Sequence, residues 1–114
     1  MVSCTDIVER FNLSDEQINK ECSPNIFLKI HKKMTEWRNI APYLFKFKKG
    51  EEIVETINQD LILNDWGRRR KLLTHWKQLY GADATYKKLI NAFLSADRRD
   101  LAEIVCERLS HSKL

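Results

Sequence analysis

Residues 68–94, RRRKLLTHWKQLYGADATYKKLINAFL, most constrain what this chain can fold into. Leu72, Leu73, Trp76, Leu79 and Tyr80 recur at helical spacing. Tyr86, Leu89, Ile90, Phe93 and Leu94 then run as i, i+3, i+4, i+7 and i+8. Each set is the apolar stripe of a helix that faces a core. Between them Gly81 suits the position just past a helix end, where the backbone turns left-handed. Asp83 or Thr85 can cap the second helix by accepting from its free N–H groups. The stretch holds no catalytic set. It is a helical hairpin that must bury its stripes against further helices.

The rest of the chain supplies them. A domain of 114 residues buries roughly 65–70 % of its unfolded surface, enough for one core without a metal or disulfide staple. Three glycines and two prolines argue against a turn-rich β sandwich and for an all-α fold. Residues 1–23 form an N-terminal extension, either an extra docked helix or a flexible lead-in. Within it Ser14-Asp-Glu-Gln17 reads as a capping box, with Leu13 and Ile18 as its hydrophobic staple, opening a helix near 15–22. Ser23-Pro24 starts the next helix, with serine as N-cap and proline at the first helical position; it runs over about 24–34.

Thr35 can break that helix and start a short one in which Trp37, Ile40, Ala41 and Leu44 share a face. Pro42 sits in that face and should bend or end the helix. Residues 45–50 read as a lysine-rich connection. Glu51 and Glu52 then open a helix, where acids suit the positive end of the dipole; Ile53, Val54 and Ile57 are its inner face. An apolar patch, Leu61-Ile-Leu63, precedes Asn64 and Asp65 as caps. Asp97 and Asp100 cap a last helix with Leu101, Ala102, Val105 and Leu109 inward, and the tail from Ser110, residues 111–114 above all, should fray. Six helices after the extension imply an antiparallel six-helix bundle.

Composition narrows the functional classes. No apolar run approaches the ~20 residues that cross a bilayer, so no membrane insertion is expected, and no signal-peptide pattern opens the chain. Cys4, Cys22 and Cys106 form no C-x-x-C pair; free thiols fit a reducing compartment, cytosol or nucleus, and a cytoplasmic setting is expected. His31, His75 and His111 have no acid or cysteine at ligand spacing, so no metal or cofactor is expected. With no Gly-rich phosphate loop and no nucleophile–base pair, the chain does not read as an enzyme.

Charge comes in blocks. Residues 1–24 hold five acids against two bases, 25–50 seven bases against Glu36, 51–66 five acids and no base, and 67–77 five bases and no acid. Blocks of alternating sign differ from the one-sided basic surface of a nucleic-acid binder. They suit a surface that meets a complementary protein, or its own copy, in register.

Trp37-Arg-Asn-Ile-Ala-Pro-Tyr-Leu44 is similar to the "W-x-x-L-A-x-x-L" of helix 2 in death domains, six-helix signalling modules. E-I-V-E-T-I at 52–57 resembles helix 3, L-L-T-H-W at 72–76 helix 4, G-A-D-A-T-Y-K-K-L at 81–89 the helix 4–5 junction, and D-L-A-E at 100–103 helix 6. The resemblance covers residues 25–109, with the domain placed at 24–110; isoleucine stands at Ile40 where leucine is usual. It implies a non-catalytic module that associates with other death domains, its own copies included, in apoptotic or innate-immune signalling. Family members stack through asymmetric contacts.

Carried onto this chain, the basic partners would be Lys29, Lys32, Lys33, Arg68, Arg69, Arg70 and Lys71. The acidic ones would be Glu51, Glu52, Glu55, Asp60 and Asp65. Trp66 lies outside any clear stripe and is either an exposed interface anchor or packed over its loop. The alternative reading is a small basic helical nucleic-acid binder using Arg68 to Lys71 on phosphates. It lacks interleaved exposed aromatics.

Overall fold

The computed structural model describes residues 4–45 and 47–111, apart from the side chains of Phe47 and Lys48. Among these, eight helices follow one another: α1 (Cys4–Arg10), α2 (Asp15–Ile18), α3 (Pro24–Ile30), α4 (Trp37–Leu44), α5 (Phe47–Asn58), α6 (Asp65–Tyr80), α7 (Tyr86–Ser95) and α8 (Arg99–His111). Short 3-10 turns occupy His31–Lys33 and Gly81–Asp83. No strand occurs among the described residues, and extended backbone pairs at an isolated bridge between Glu21 and Thr85. The chain is all-α.

Side-chain capping explains the helix starts. Ser14 Oγ accepts from the Gln17 N–H and Gln17 Oε1 accepts from the Ser14 N–H, closing the capping box. Ser23 caps α3 ahead of Pro24, Asn64 caps α6 and Thr85 caps α7. Gly81 ends α6 at φ 54 and ψ −123, a region open to glycine alone.

Several expectations change, and the helix expected near 15–22 closes already at Ile18. α3 ends at Ile30 and continues as a 3-10 turn, and Glu36 rather than Thr35 stands at the N-cap of α4, with φ 58. Pro42 is exposed, and α4 runs past it to Leu44. α5 begins at Phe47, so most of the expected connection is helix and Glu51 and Glu52 lie in its second turn; Lys46, also placed in that connection, lies outside the described residues. The early start works because α5 leans on α4 through Gly50, where a Cβ would meet the Ala41 carbonyl oxygen at 3.3 Å and Pro42 Cα at 3.5 Å. Finally, α8 continues to His111, while residues 112–114 lie outside the described residues.

The stripes of the hairpin are buried as their spacing requires: Leu72, Leu73, Trp76, Leu89, Ile90 and Phe93 are all inside. Leu79 is not, at 48 % exposed. The same core takes in Ile7, Val8, Leu13, Ile18 and Cys22, so the N-terminal helices are docked. α1 packs on α7 and α8, and α2 on α7. Polar ties fix them: Arg10 pairs with Glu103 at 3.2 Å and Gln17 Nε2 donates to the Leu109 carbonyl at 3.3 Å. The Cys22 N–H donates to the Ala84 carbonyl at 2.8 Å and the Lys77 ammonium to the Cys22 carbonyl. A radius of gyration of 13.6 Å lies close to the ~13 Å of a compact chain near 100 residues.

Two guanidiniums clamp the loop between α3 and α4. Arg69, on α6, donates to the carbonyls of His31 and Lys32; Arg98 donates to those of Lys33 and Thr35. This holds Glu36 left-handed, a conformation that costs a non-glycine residue about 1–2 kcal/mol and asparagine less. Glu36→Asn is therefore expected to raise stability by about 1 kcal/mol, read as a higher urea midpoint at unchanged slope.

Burial pushes the Cys22 and Cys106 thiols up to about 12, and only a trace of thiolate then exists near pH 8. Their modification by a thiol reagent at that pH should follow global unfolding. Rapid labelling of both in native buffer would contradict their burial.

Candidate interaction surface

The charged blocks have two different fates. Around the α5–α6 turn they pair within the chain. Asp60 accepts from Lys71 Nζ at 3.1 Å and from the Ile62 N–H at 3.2 Å through its carboxylate. Its carbonyl accepts from Arg68 at 3.3 Å and from the Leu63 N–H at 3.4 Å. The Lys71 hydrogen bond, then that of Ile62, holds the Asp60 carboxyl below its ordinary range. A depressed carboxylate stabilises the fold above its unfolded pKa, about 3.9, and that contribution is lost as pH falls through the lower folded value.

Asp65 forms an ion pair with Arg69 and accepts from Trp37 Nε1 at 3.3 Å. Arg69 itself is 7 % exposed. Arg69 is thus a structural residue rather than a free basic partner, and Asp60, Asp65 and Lys71 are committed within the chain. Helix geometry divides the basic run. Arg69 turns inward toward α3, and Arg70 turns to solvent.

Elsewhere the charges stay open. Glu51, Glu52 and Glu55 are exposed on α5, and Lys29, Lys32, Lys33 and Arg70 are exposed on α3, its 3-10 extension and α6. Among the described residues none of these seven has an ion-pair partner. The acids and the α3 bases stand on helices that are not neighbours. α5 packs on α4 and α6, whereas α3 packs on α6 and α8. Glu51 and Glu55 rim a groove of 360 Å³ between α4 and α5, floored by Pro42, Gly50 and Val54. Arg38 closes one end on Asn58 Oδ1 at 2.9 Å.

Trp66 combines both readings given above. It is 51 % exposed, yet its ring meets His31 edge-on at 6.3 Å and lies under Lys32 Nζ at 5.8 Å. His31 is buried, its Nδ1 2.9 Å from the Phe27 carbonyl, so that nitrogen carries the proton. The sequence reading missed Leu61 and Ile62, the most exposed large apolar side chains described, at 90 % and 94 %. The available signal was three apolar residues outside any helical stripe.

Among the described residues no group of three or more His, Cys, Asp or Glu stands where it could hold a metal ion. No described helix is long and apolar enough to cross a membrane. No protein-family model, no curated protein and no solved structure matches the chain.

Proposed function

We propose that the chain is a non-catalytic death-domain module that binds other domains of its kind, its own copies included, through opposed charged faces in cytoplasmic signalling. The observation that carries this is open charge of both signs on the surface: acids Glu51, Glu52 and Glu55 along α5, with Arg38 and Lys49 beside them, and bases Lys29, Lys33 and Arg70 on α3, its 3-10 extension and α6. Like charges on one face repel, and a complementary face relieves that repulsion and steers encounter. Lys29 and Lys33 lie away from α5, which packs on α4 and α6, so a contact between these bases and the α5 acids joins unlike surfaces and can propagate. Helix order supports the same reading. α3 to α8 make six helices, with the tryptophan motif on α4, L-L-T-H-W on α6 and D-L-A-E opening α8. The nucleic-acid alternative is weakened because Arg69 is buried and Lys71 paired.

Light scattering across protein concentration and salt tests the proposal. Self-association, or capture of another death domain, should weaken as salt rises. Glu51→Lys with Glu52→Lys should abolish it and leave the helical spectrum intact, while mixing with a Lys29→Glu, Lys33→Glu partner should restore it. A chain that stays monomeric at high concentration and low salt and binds no death domain refutes the reading.

A further inference from the structure

We propose that the α5–α6 turn is a docking tip for an anionic lipid surface. Leu61 and Ile62 stand adjacent and almost fully exposed, which is an unfavourable place for two aliphatic side chains unless something covers them. The turn that presents them is fixed rather than loose. Asp60 takes hydrogen bonds from Lys71, Ile62, Arg68 and Leu63, so little order remains to be imposed when the tip is buried.

Its surroundings carry the charge that such a surface selects. In the 3-10 turn after α3 and the start of α6 the bases left open are Lys32, Lys33 and Arg70, with Arg68 half-buried beside them, while Arg69 and Lys71 are taken up by the two acids of the region. Both acids, Asp60 and Asp65, are already paired. Half-exposed Trp66 lies at the base of the tip, with Lys32 over its ring and Arg70 one helical turn on. Aliphatic side chains at the apolar boundary, tryptophan at headgroup depth and cations on anionic headgroups make the arrangement of a peripheral membrane contact. It requires no spanning helix. A protruding pair of side chains also suits a fluid interface that conforms to it, because a protein would need a preformed pocket.

The contact shares Lys33 and Arg70 with the proposed self-association but adds Leu61 and Ile62, which that reading does not use, so the tip variant separates the two proposals. The full chain is mixed with vesicles of phosphatidylcholine alone and of phosphatidylcholine with phosphatidylserine, and partition is read by sedimentation and tryptophan fluorescence. Trp37 and Trp76 are buried, so a blue shift reports Trp66. Partition should be about tenfold or more stronger on the anionic vesicles and fall with salt. Leu61→Ser with Ile62→Ser should lower it about tenfold or more, without changing the helical spectrum or self-association. Lys32→Glu with Arg70→Glu should remove the preference for phosphatidylserine. Absence of partition onto anionic vesicles overturns the proposal. So does a double serine variant that partitions normally but no longer self-associates, which would make the tip a protein contact.

Discussion

Trp76→Ala is expected to lose about 3–5 kcal/mol of stability, the range for deleting a buried large aromatic. Trp76 is 2 % exposed and meets Phe27 of α3 edge-on, with ring centroids 6.4 Å apart. It also lines a cleft of 290 Å³ with Leu44 and Phe45 at the end of α4 and Ala92 on α7. Trp76 thus stands where α6 meets α3 and faces the end of α4 and α7 across the cleft, and none of its neighbours can move into its place without leaving its own contacts. The cleft opens to solvent, so water can enter part of the vacated space; a value near 3 kcal/mol is the sharper expectation. Against a total of about 5–15 kcal/mol for an ordinary domain, this should lower the melting temperature by on the order of 20 °C. Urea and thermal unfolding followed by circular dichroism measure it. A loss below about 1 kcal/mol would mean that the bundle does not close on Trp76.

Trp76 was legible in the sequence because period alone marks it. The stripes of α6 and α7 name their inner faces, and Ser14, Ser23, Asn64 and Thr85 announce helix starts through chemistry confined to a few neighbouring residues. What failed depended on neighbours far along the chain. Leu79 belongs to the α6 stripe but is left half-exposed near the helix end, since a stripe records which face is apolar and not how far a partner extends over it. The early start of α5 depends on Gly50 meeting Ala41, a contact between two helices. Charge blocks were countable, but their pairing was not. Asp65 and Arg69 are four apart and readable as a helical pair, whereas Lys71 reaches Asp60 only because the turn bends back. That bend also exposes Leu61 and Ile62, which on composition alone resemble any short buried run.

The basic run shows most sharply what counting charges misses, and Arg69→Ala tests it. The variant is expected to lose about 2–4 kcal/mol, as breaking a buried network does. The Lys32 carbonyl would lose the Arg69 donor, the His31 carbonyl would keep only the Met34 N–H, and Asp65 would keep only Trp37. The lower half of the range is favoured for two reasons. Asp65 has a side chain 55 % exposed and can rehydrate, and Arg69 Nε is already buried without a partner. Arg69→Lys should not restore stability, because a single ammonium cannot reach two carbonyls and a carboxylate with the planar fork of a guanidinium. Arg70→Ala is the control: one residue on, exposed and unpaired, it should change stability by less than about 0.5 kcal/mol while weakening self-association. If Arg69 instead behaves like Arg70 in unfolding, the loop before α4 is held by Arg98 alone, and the whole basic run belongs to the surface.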